Sequence, residues 1–78
     1  MRLRFFGRLR DSVGAGEIDR SVPPAITDSE ALRAWLGTEF PELLDSTVRI
    51  ALDDVLVSGN ARILGVAEAA FLPPVSGG

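Results

Sequence analysis

The chain has 78 residues, of which 46% are hydrophobic, and a formal net charge of −3 at pH 7. A chain of this length forms one domain, near the lower limit for a core that folds alone. It contains no cysteine, histidine, tyrosine or lysine, which excludes disulfides, thiolate metal sites and most side-chain nucleophiles and general bases. We therefore do not expect the side chains to catalyse a reaction.

The same composition bears on partners and location. The acidic balance disfavours nucleic acid, and no apolar run approaches the ~20 residues that cross a bilayer, so we expect no membrane partner. The N-terminal residues show no long apolar h-region, so we expect no secretory signal. We expect a cytoplasmic protein.

The N-terminal segment has the alternation of a strand. Leu3 and Phe5 share one face of residues 1–6, and Arg2 and Arg4 share the other. Four of the eight arginines lie within the first ten residues. Their simplest interpretation is a solvated face, and docking to an acidic partner surface is the alternative.

A short helix and a second strand follow. Residues 8–13 predict a helix that ends at Gly14, because glycine readily adopts the left-handed conformation that closes a helix. Residues 17–22 predict a strand that places Ile18 inward. Arg20 falls on the same inward register, so we expect it at an edge, with its charged head reaching water.

Residues 27–40 predict the main helix. Thr27 and Glu30 fit a capping box, in which each side chain bonds a free backbone N–H of the first turn. Proline at 41 makes Phe40 the expected boundary, and residues 41–44 then form a tight turn. The helix has one apolar stripe, which includes Trp35 as a core residue, at positions Leu32, Trp35, Leu36, Phe40 and Leu43.

Two further strands are predicted at residues 48–52 and 55–57. Asp53 and Asp54 lie between them, and adjacent carboxylates can indicate a metal site. No further ligand occurs at a useful spacing, so we interpret the pair as a structural turn and expect no metal.

Residues 66–72 predict the last strand. Apart from Glu68 the stretch is apolar without alternation, which favours an interior strand covered on both faces, beside the first strand. The order ββαββ, with one helix across the sheet, is the β-grasp arrangement. We predict an α+β, ubiquitin-like fold with a mixed sheet of four or five strands.

Two prolines end this strand. Pro73 and Pro74 cannot continue a ladder and favour an extended polyproline II stalk. We predict that residues 73–78 project as a tail from a single domain of residues 1–78. Gly77 and Gly78 have no Cβ, so the tail can enter a narrow channel and present a terminal carboxylate.

The ending Phe71-Leu72-Pro73-Pro74-Val75-Ser76-Gly77-Gly78 resembles the small subunit of molybdopterin synthase, in the MoaD family of ubiquitin-like, ThiS-like sulfur carriers. The segments Leu3-Arg4-Phe5-Phe6-Gly7-Arg8-Leu9-Arg10 and Phe40-Pro41-Glu42-Leu43 agree with this resemblance, which covers essentially the whole chain. One stretch departs from it. The family usually has an Asp-Gly-Asp turn before the last strand, where this chain has Leu64-Gly65-Val66-Ala67-Glu68.

The resemblance implies a carrier subunit that is not an enzyme by itself and binds no cofactor. A ubiquitin-activating-like adenylyltransferase would use ATP to adenylate Gly78, and a sulfur donor protein would leave a thiocarboxylate there. The large synthase subunit would receive the tail and pass sulfur to cyclic pyranopterin monophosphate, in a heterotetramer. The expected partner-binding residues are Phe71, Leu72, Pro73, Pro74, Val75, Ser76 and Gly77.

Three alternatives stay open. A sister carrier for thiamin or cysteine synthesis would use the same terminal chemistry. A ubiquitin-like modifier would join Gly78 to lysines of target proteins. A simple interaction module would bind partners through the body of the domain.

Overall fold

The computed structural model describes residues 1–74, which form a five-stranded mixed sheet with helices over one face. The strand order is β2-β1-β5-β3-β4, in which β1 and β5 are parallel and the other neighbours are antiparallel. In chain order the elements are β1 (Arg2–Phe5), α1 (Arg8–Val13), β2 (Glu17–Asp19), α2 (Ser29–Gly37), a 3₁₀ turn (Pro41–Leu44), β3 (Arg49–Leu52), β4 (Val55–Leu56) and β5 (Glu68–Leu72). The predicted β-grasp topology is confirmed.

The first hairpin forms as the alternation predicts. Leu3 and Phe5 are buried, and α1 ends at Gly14, which has a left-handed φ of 88°. β2 is shorter than predicted. Arg20 lies just beyond it and donates hydrogen bonds of 2.7 and 3.0 Å to the carboxylate of Glu39, so its charge is satisfied at the surface, as expected for an edge position.

The start of α2 corrects the predicted capping box. The N-cap is Asp28, whose carboxylate accepts a 2.8 Å hydrogen bond from the Ala31 amide, and Thr27 does not fill this role. Asn60, from a distant loop, accepts a second bond of 2.9 Å from the Glu30 amide. The first-turn N–H groups are therefore satisfied partly by tertiary contact, which no local pattern contains.

The end of α2 also differs from the prediction. The helix ends at Gly37 instead of Phe40, and the chain then passes into the 3₁₀ turn. A side chain at Gly37 would collide with Leu44, so the glycine lets the turn fold tightly back against the helix. Phe40 remains in the core, where its ring centroid lies 6.1 Å from that of Phe5.

The core lies between the helices and one face of the sheet. Phe5 and Phe71, on the parallel central strands, stack with ring centroids 5.6 Å apart. Trp35 packs against this core but is only partly buried. The buried hydrophobic residues are Leu3, Phe5, Leu9, Leu32, Leu36, Phe40, Leu43, Val48, Ile50, Leu52, Ile63, Ala69 and Phe71.

β5 is central, as predicted, but it is not covered on both faces. Ala69 and Phe71 are fully buried, whereas Glu68, Ala70 and Leu72 are partly exposed on the opposite face. The run lacks alternation in its sequence because alanine suits either environment. The helices cover one face only, and the prediction of two covered faces was wrong.

The Asp53-Asp54 pair forms the predicted turn. Both residues have left-handed φ values, 46° and 69°, which aspartate tolerates better than most side chains. The Asp53 carboxylate accepts hydrogen bonds from the amides of Ala67 (3.1 Å) and Glu68 (2.9 Å). It therefore ties the β3–β4 turn to the start of β5.

Candidate functional site

The base of the tail is held by β1 and β3. The Phe71 carbonyl accepts a 3.1 Å hydrogen bond from the Phe6 amide, and Leu72 pairs with Arg49 across the sheet. These contacts fix the position and direction in which the chain leaves the sheet.

Pro73 and Pro74 follow the last ladder residue, and β5 ends before them as predicted. Pro73 is partly buried against Gly7, where an added Cβ would lie 2.7 Å from the Pro73 Cγ atom. Pro74 is exposed. The point where the chain leaves the sheet, here called the exit, is thus packed against Gly7 at Pro73 and exposed at Pro74.

The structure separates the two residues expected to anchor a partner at the base of the tail. Phe71 is fully buried and stacks on Phe5, so its side chain holds β5 in the core and offers no surface to a partner. Leu72 lies on the opposite face and is partly exposed. The expected contact role is therefore corrected for Phe71 and stays a prediction for Leu72, Pro73 and Pro74.

The remaining predicted site residues lie outside the described residues. They are Val75, Ser76, Gly77 and Gly78. Their roles in partner binding and sulfur chemistry stay predictions.

The open face of the sheet carries an apolar patch next to the tail base, here called the tail-side patch. Ala70 of β5 pairs with Ala51 of β3, and Ala51 pairs with Leu56 of β4. Continuing the parallel register of β1 and β5 brings Phe6 beside Leu72. Leu56 is 51% exposed, and the patch consists of Phe6, Ala51, Leu56, Ala70 and Leu72.

Arginines border this patch. The Arg4 guanidinium lies 5.0 Å from the centroid of the Phe6 ring, within cation–π range. Arg49 flanks Leu72 on the other side, and Arg8 follows Gly7 at the tail exit. The tail base is therefore locally basic although the chain has a net negative charge.

Asp45 is an acidic residue near Arg8. A 2.6 Å hydrogen bond from the Thr47 hydroxyl, together with the Thr47 amide, holds the pKa of the Asp45 carboxyl below its usual range. Arg8 lies 3.9 Å from the same carboxylate. Asp45 thus stays ionised, which partly offsets the basic surroundings.

The far end of the same open face is charged. Arg2 lies 3.3 Å from Glu17 and 3.5 Å from Glu68, and Glu68 also lies 3.5 Å from Arg4. The Arg2–Glu17 pair is exposed and contributes little to stability, whereas the Glu68 side chain is only 16% exposed where it pairs with Arg2 and Arg4. They leave the tail-side patch as the apolar half of the open face.

Sequence reasoning found the tail but missed the patch. Ala51, Leu56 and Ala70 meet only through strand pairing over long sequence distances, so their spacing carries no signal. Phe6 did carry a signal, since it is a large apolar residue on the arginine face of β1.

Two negative findings apply to residues 1–74. No group of three acidic or other metal-binding side chains is placed to hold a metal ion. Neither α1 nor α2 has the length and hydropathy needed to cross a bilayer.

Comparisons with known proteins agree with this geometry. The ThiS family model matches residues 3–78. A protein from Pyrococcus furiosus, assigned as subunit 1 of a molybdopterin converting factor, is 17% identical with a TM-score of 0.73 over 95% of each chain. SAMP1 from Haloferax volcanii is 25% identical with a TM-score of 0.68, over 99% of this chain and 97% of the other. The chain belongs to the ThiS family and has the ubiquitin-like β-grasp fold.

Proposed function

We propose that this chain is the sulfur carrier subunit of a molybdopterin synthase, with the Gly78 carboxylate as its reactive group. The observation that supports this best is the exit of the chain. The central strand ends at Leu72, and Pro73 is seated against Gly7. The residues beyond this fixed exit end in Gly77-Gly78.

The proposed chemistry needs no side chain of this protein. An adenylyltransferase partner uses ATP to convert the Gly78 carboxylate to an acyl-adenylate, with release of pyrophosphate. A sulfur donor protein supplies the nucleophile that displaces AMP, and a thiocarboxylate remains on Gly78. This scheme is consistent with a chain that lacks cysteine, histidine and lysine.

The large synthase subunit is the proposed acceptor of the loaded tail. Its docking surface on this chain is the tail-side patch, because an apolar centre with a polar rim is typical of protein interfaces. Arg4 and Arg49 border the patch, so the matching surface of the partner carries acidic side chains around an apolar centre. Val75, Ser76 and Gly77 then occupy the channel of the large subunit through which Gly78 reaches cyclic pyranopterin monophosphate.

The first test is the mass of the intact protein after incubation with ATP, the adenylyltransferase and a sulfur donor. We expect a gain equal to one exchange of oxygen for sulfur, mapped to Gly78. The chain without Gly78 should not gain this mass. A Ser58→Ala variant, altered at an exposed residue of the loop after β4, serves as the matched control. No gain in the wild-type chain, with an active reference carrier in the same assay, contradicts the proposal.

A second test separates the docking surface from the fold. Leu72→Ala should weaken binding to the large subunit by about tenfold and leave the chain folded with a modest loss of stability, because Leu72 lies outside the main core and is partly exposed. Unaltered binding by Leu72→Ala would remove the tail-side patch from the proposal.

The alternative pathway is a sister carrier for thiamin or cysteine synthesis, which the match to the ThiS family model supports. Both pathways predict the same thiocarboxylate, so they differ only in the acceptor. The loaded chain should release sulfur to the large synthase subunit with cyclic pyranopterin monophosphate, and not to a thiazole synthase. The opposite preference would favour the alternative.

If the chain is instead a ubiquitin-like modifier, its product differs from a thiocarboxylate. It would produce an isopeptide between Gly78 and a lysine of a target protein, seen as higher-mass bands in a lysate. This chain has no lysine, so it cannot form lysine-linked chains with itself.

A further inference from the structure

A groove of about 630 Å³ lies at the end of the sheet opposite to the tail. It includes Met1, before the start of β1, whereas Pro73 contacts Gly7, after the end of β1. One wall is built from Val22, Pro23, Pro24 and Ile26. The groove is therefore mostly apolar, and it shares no residue with the tail-side patch.

An exposed leucine stands at the rim of this groove. Leu64 is 91% exposed, more than any other large hydrophobic side chain among residues 1–74. It lies in the Leu64-Gly65 stretch where the sequence departs from the Asp-Gly-Asp turn of the carriers it resembles.

The turn holds Leu64 in a defined position. The Ile63 amide donates a 3.1 Å hydrogen bond to the Thr27 carbonyl, and the Val66 amide donates a 3.0 Å bond to the Ile63 carbonyl. Gly65 has a φ of 80°, which suits the third position of a type II turn. Little ordering of Leu64 is needed when it binds a partner, which lowers the cost of association.

Two opposite charges line the same groove. Asp28 and Arg62 are joined by a backbone bridge, and within residues 1–74 neither forms an ion pair. A surface with a projecting apolar side chain, an adjacent apolar groove and one charge of each sign is complementary to itself. A twofold axis brings such a surface against its own copy, since every contact is then made twice.

We propose that two copies of this chain associate through this end of the sheet. Leu64 of each copy enters the groove of the other, and Arg62 of each copy pairs with Asp28 of its partner copy. Pro73, at the base of each tail, lies against Gly7 at the other end of β1 from the groove. The proposal is independent of the sulfur chemistry of Gly78.

Sedimentation velocity on the 78-residue chain, over concentrations from about 10 μM to about 1 mM, tests the proposal. We expect a reversible dimer with a Kd of roughly 0.1–1 mM, since the contact is small. Leu64→Ser should raise this Kd by about tenfold or more. Val55→Ser, which changes a side chain that is 68% exposed on an edge strand, should leave it unchanged.

Two further variants test whether the ion pairs contribute to the dimer and whether the tail is needed for it. Asp28→Asn keeps the oxygen that caps α2 and removes the charge, so it should weaken the dimer while the helix persists. A chain without residues 75–78 should still dimerise. A wild-type chain that stays monomeric at the highest concentration, or a Leu64→Ser chain that associates as tightly as the wild type, overturns the proposal. Association lost with residues 75–78 overturns it as well.

Discussion

Arg33 provides the sharpest test of how the chain between α2 and β3 is held. This side chain of α2 is 15% exposed and donates hydrogen bonds to the carbonyls of Leu43 (2.9 Å), Asp45 (3.1 Å) and Val48 (2.8 Å). One guanidinium thereby satisfies three carbonyls of a segment with little regular structure. The Arg33→Met variant keeps most of the apolar stem and removes all three bonds.

The expected loss is large for a domain of this size. A hydrogen bond to a charged group contributes about 1.5–3 kcal/mol. The Asp45 carbonyl lies in an exposed residue and regains water in the variant, so its bond counts for little. The other two bonds together contribute about 3–6 kcal/mol. The variant also removes the buried Arg33 Nε, which has no hydrogen-bond partner within residues 1–74, and this returns about 1–2 kcal/mol. We therefore expect Arg33→Met to lower the free energy of unfolding by about 2–4 kcal/mol, out of a total of roughly 4–12 kcal/mol for 78 residues.

Urea denaturation measures this loss, and the fluorescence of Trp35, the single tryptophan, follows it. Arg33→Lys should lie between the wild type and Arg33→Met, because an ammonium cannot reproduce the planar fork of donors. Arg10→Met, at an exposed arginine of α1, is the matched control and should stay within about 0.5 kcal/mol. A loss below about 1 kcal/mol for Arg33→Met would refute the reasoning.

Three further predictions concern the cap, the core and pH. In urea denaturation, Asp28→Ala should lower the free energy of unfolding by about 1 kcal/mol and Thr27→Ala by much less. The reverse order would indicate that Thr27 is the N-cap of α2 after all. Phe71→Ala should cost about 3–5 kcal/mol in the same assay, so a mild effect would contradict its central place in the core. The hydrogen bonds from Arg20 hold the pKa of Glu39 below its usual range, so their stabilisation is present above the unfolded pKa and is lost as the pH falls through the folded one. Thermal denaturation between about pH 5 and pH 3 should therefore show a smaller decline for Glu39→Gln than for the wild type, and equal declines would argue against this ion pair.

The sequence predicts elements whose cause is local. The alternation of residues 1–6 is enough to place Leu3 and Phe5 inward, and Gly14 is enough to end α1. The start of α2 is different, because Thr27 and Asp28 are both good caps by sequence alone. Asn60 decides between them by bonding the first turn from another part of the chain.

The second case where local sequence is insufficient is the question of which residues of β5 face the core. In Ala69-Ala70-Phe71-Leu72 both faces are apolar, so either Phe71 or Leu72 is a plausible surface residue. The parallel register against β1 decides, because it stacks Phe71 on Phe5 and leaves Leu72 beside Phe6. The tail-side patch depends on that same register, which explains why reasoning along the chain does not reveal it.

The central position of β5 has a consequence for synthesis on the ribosome. β1 is made first, yet one of its two neighbours in the sheet is the last strand of the described chain. Until β5 emerges, β1 and β3 each have an open edge and Phe5 lacks the ring on which it stacks. Such a nascent chain is prone to aggregation or degradation. A chain that completes the sheet is therefore one that already has its tail base.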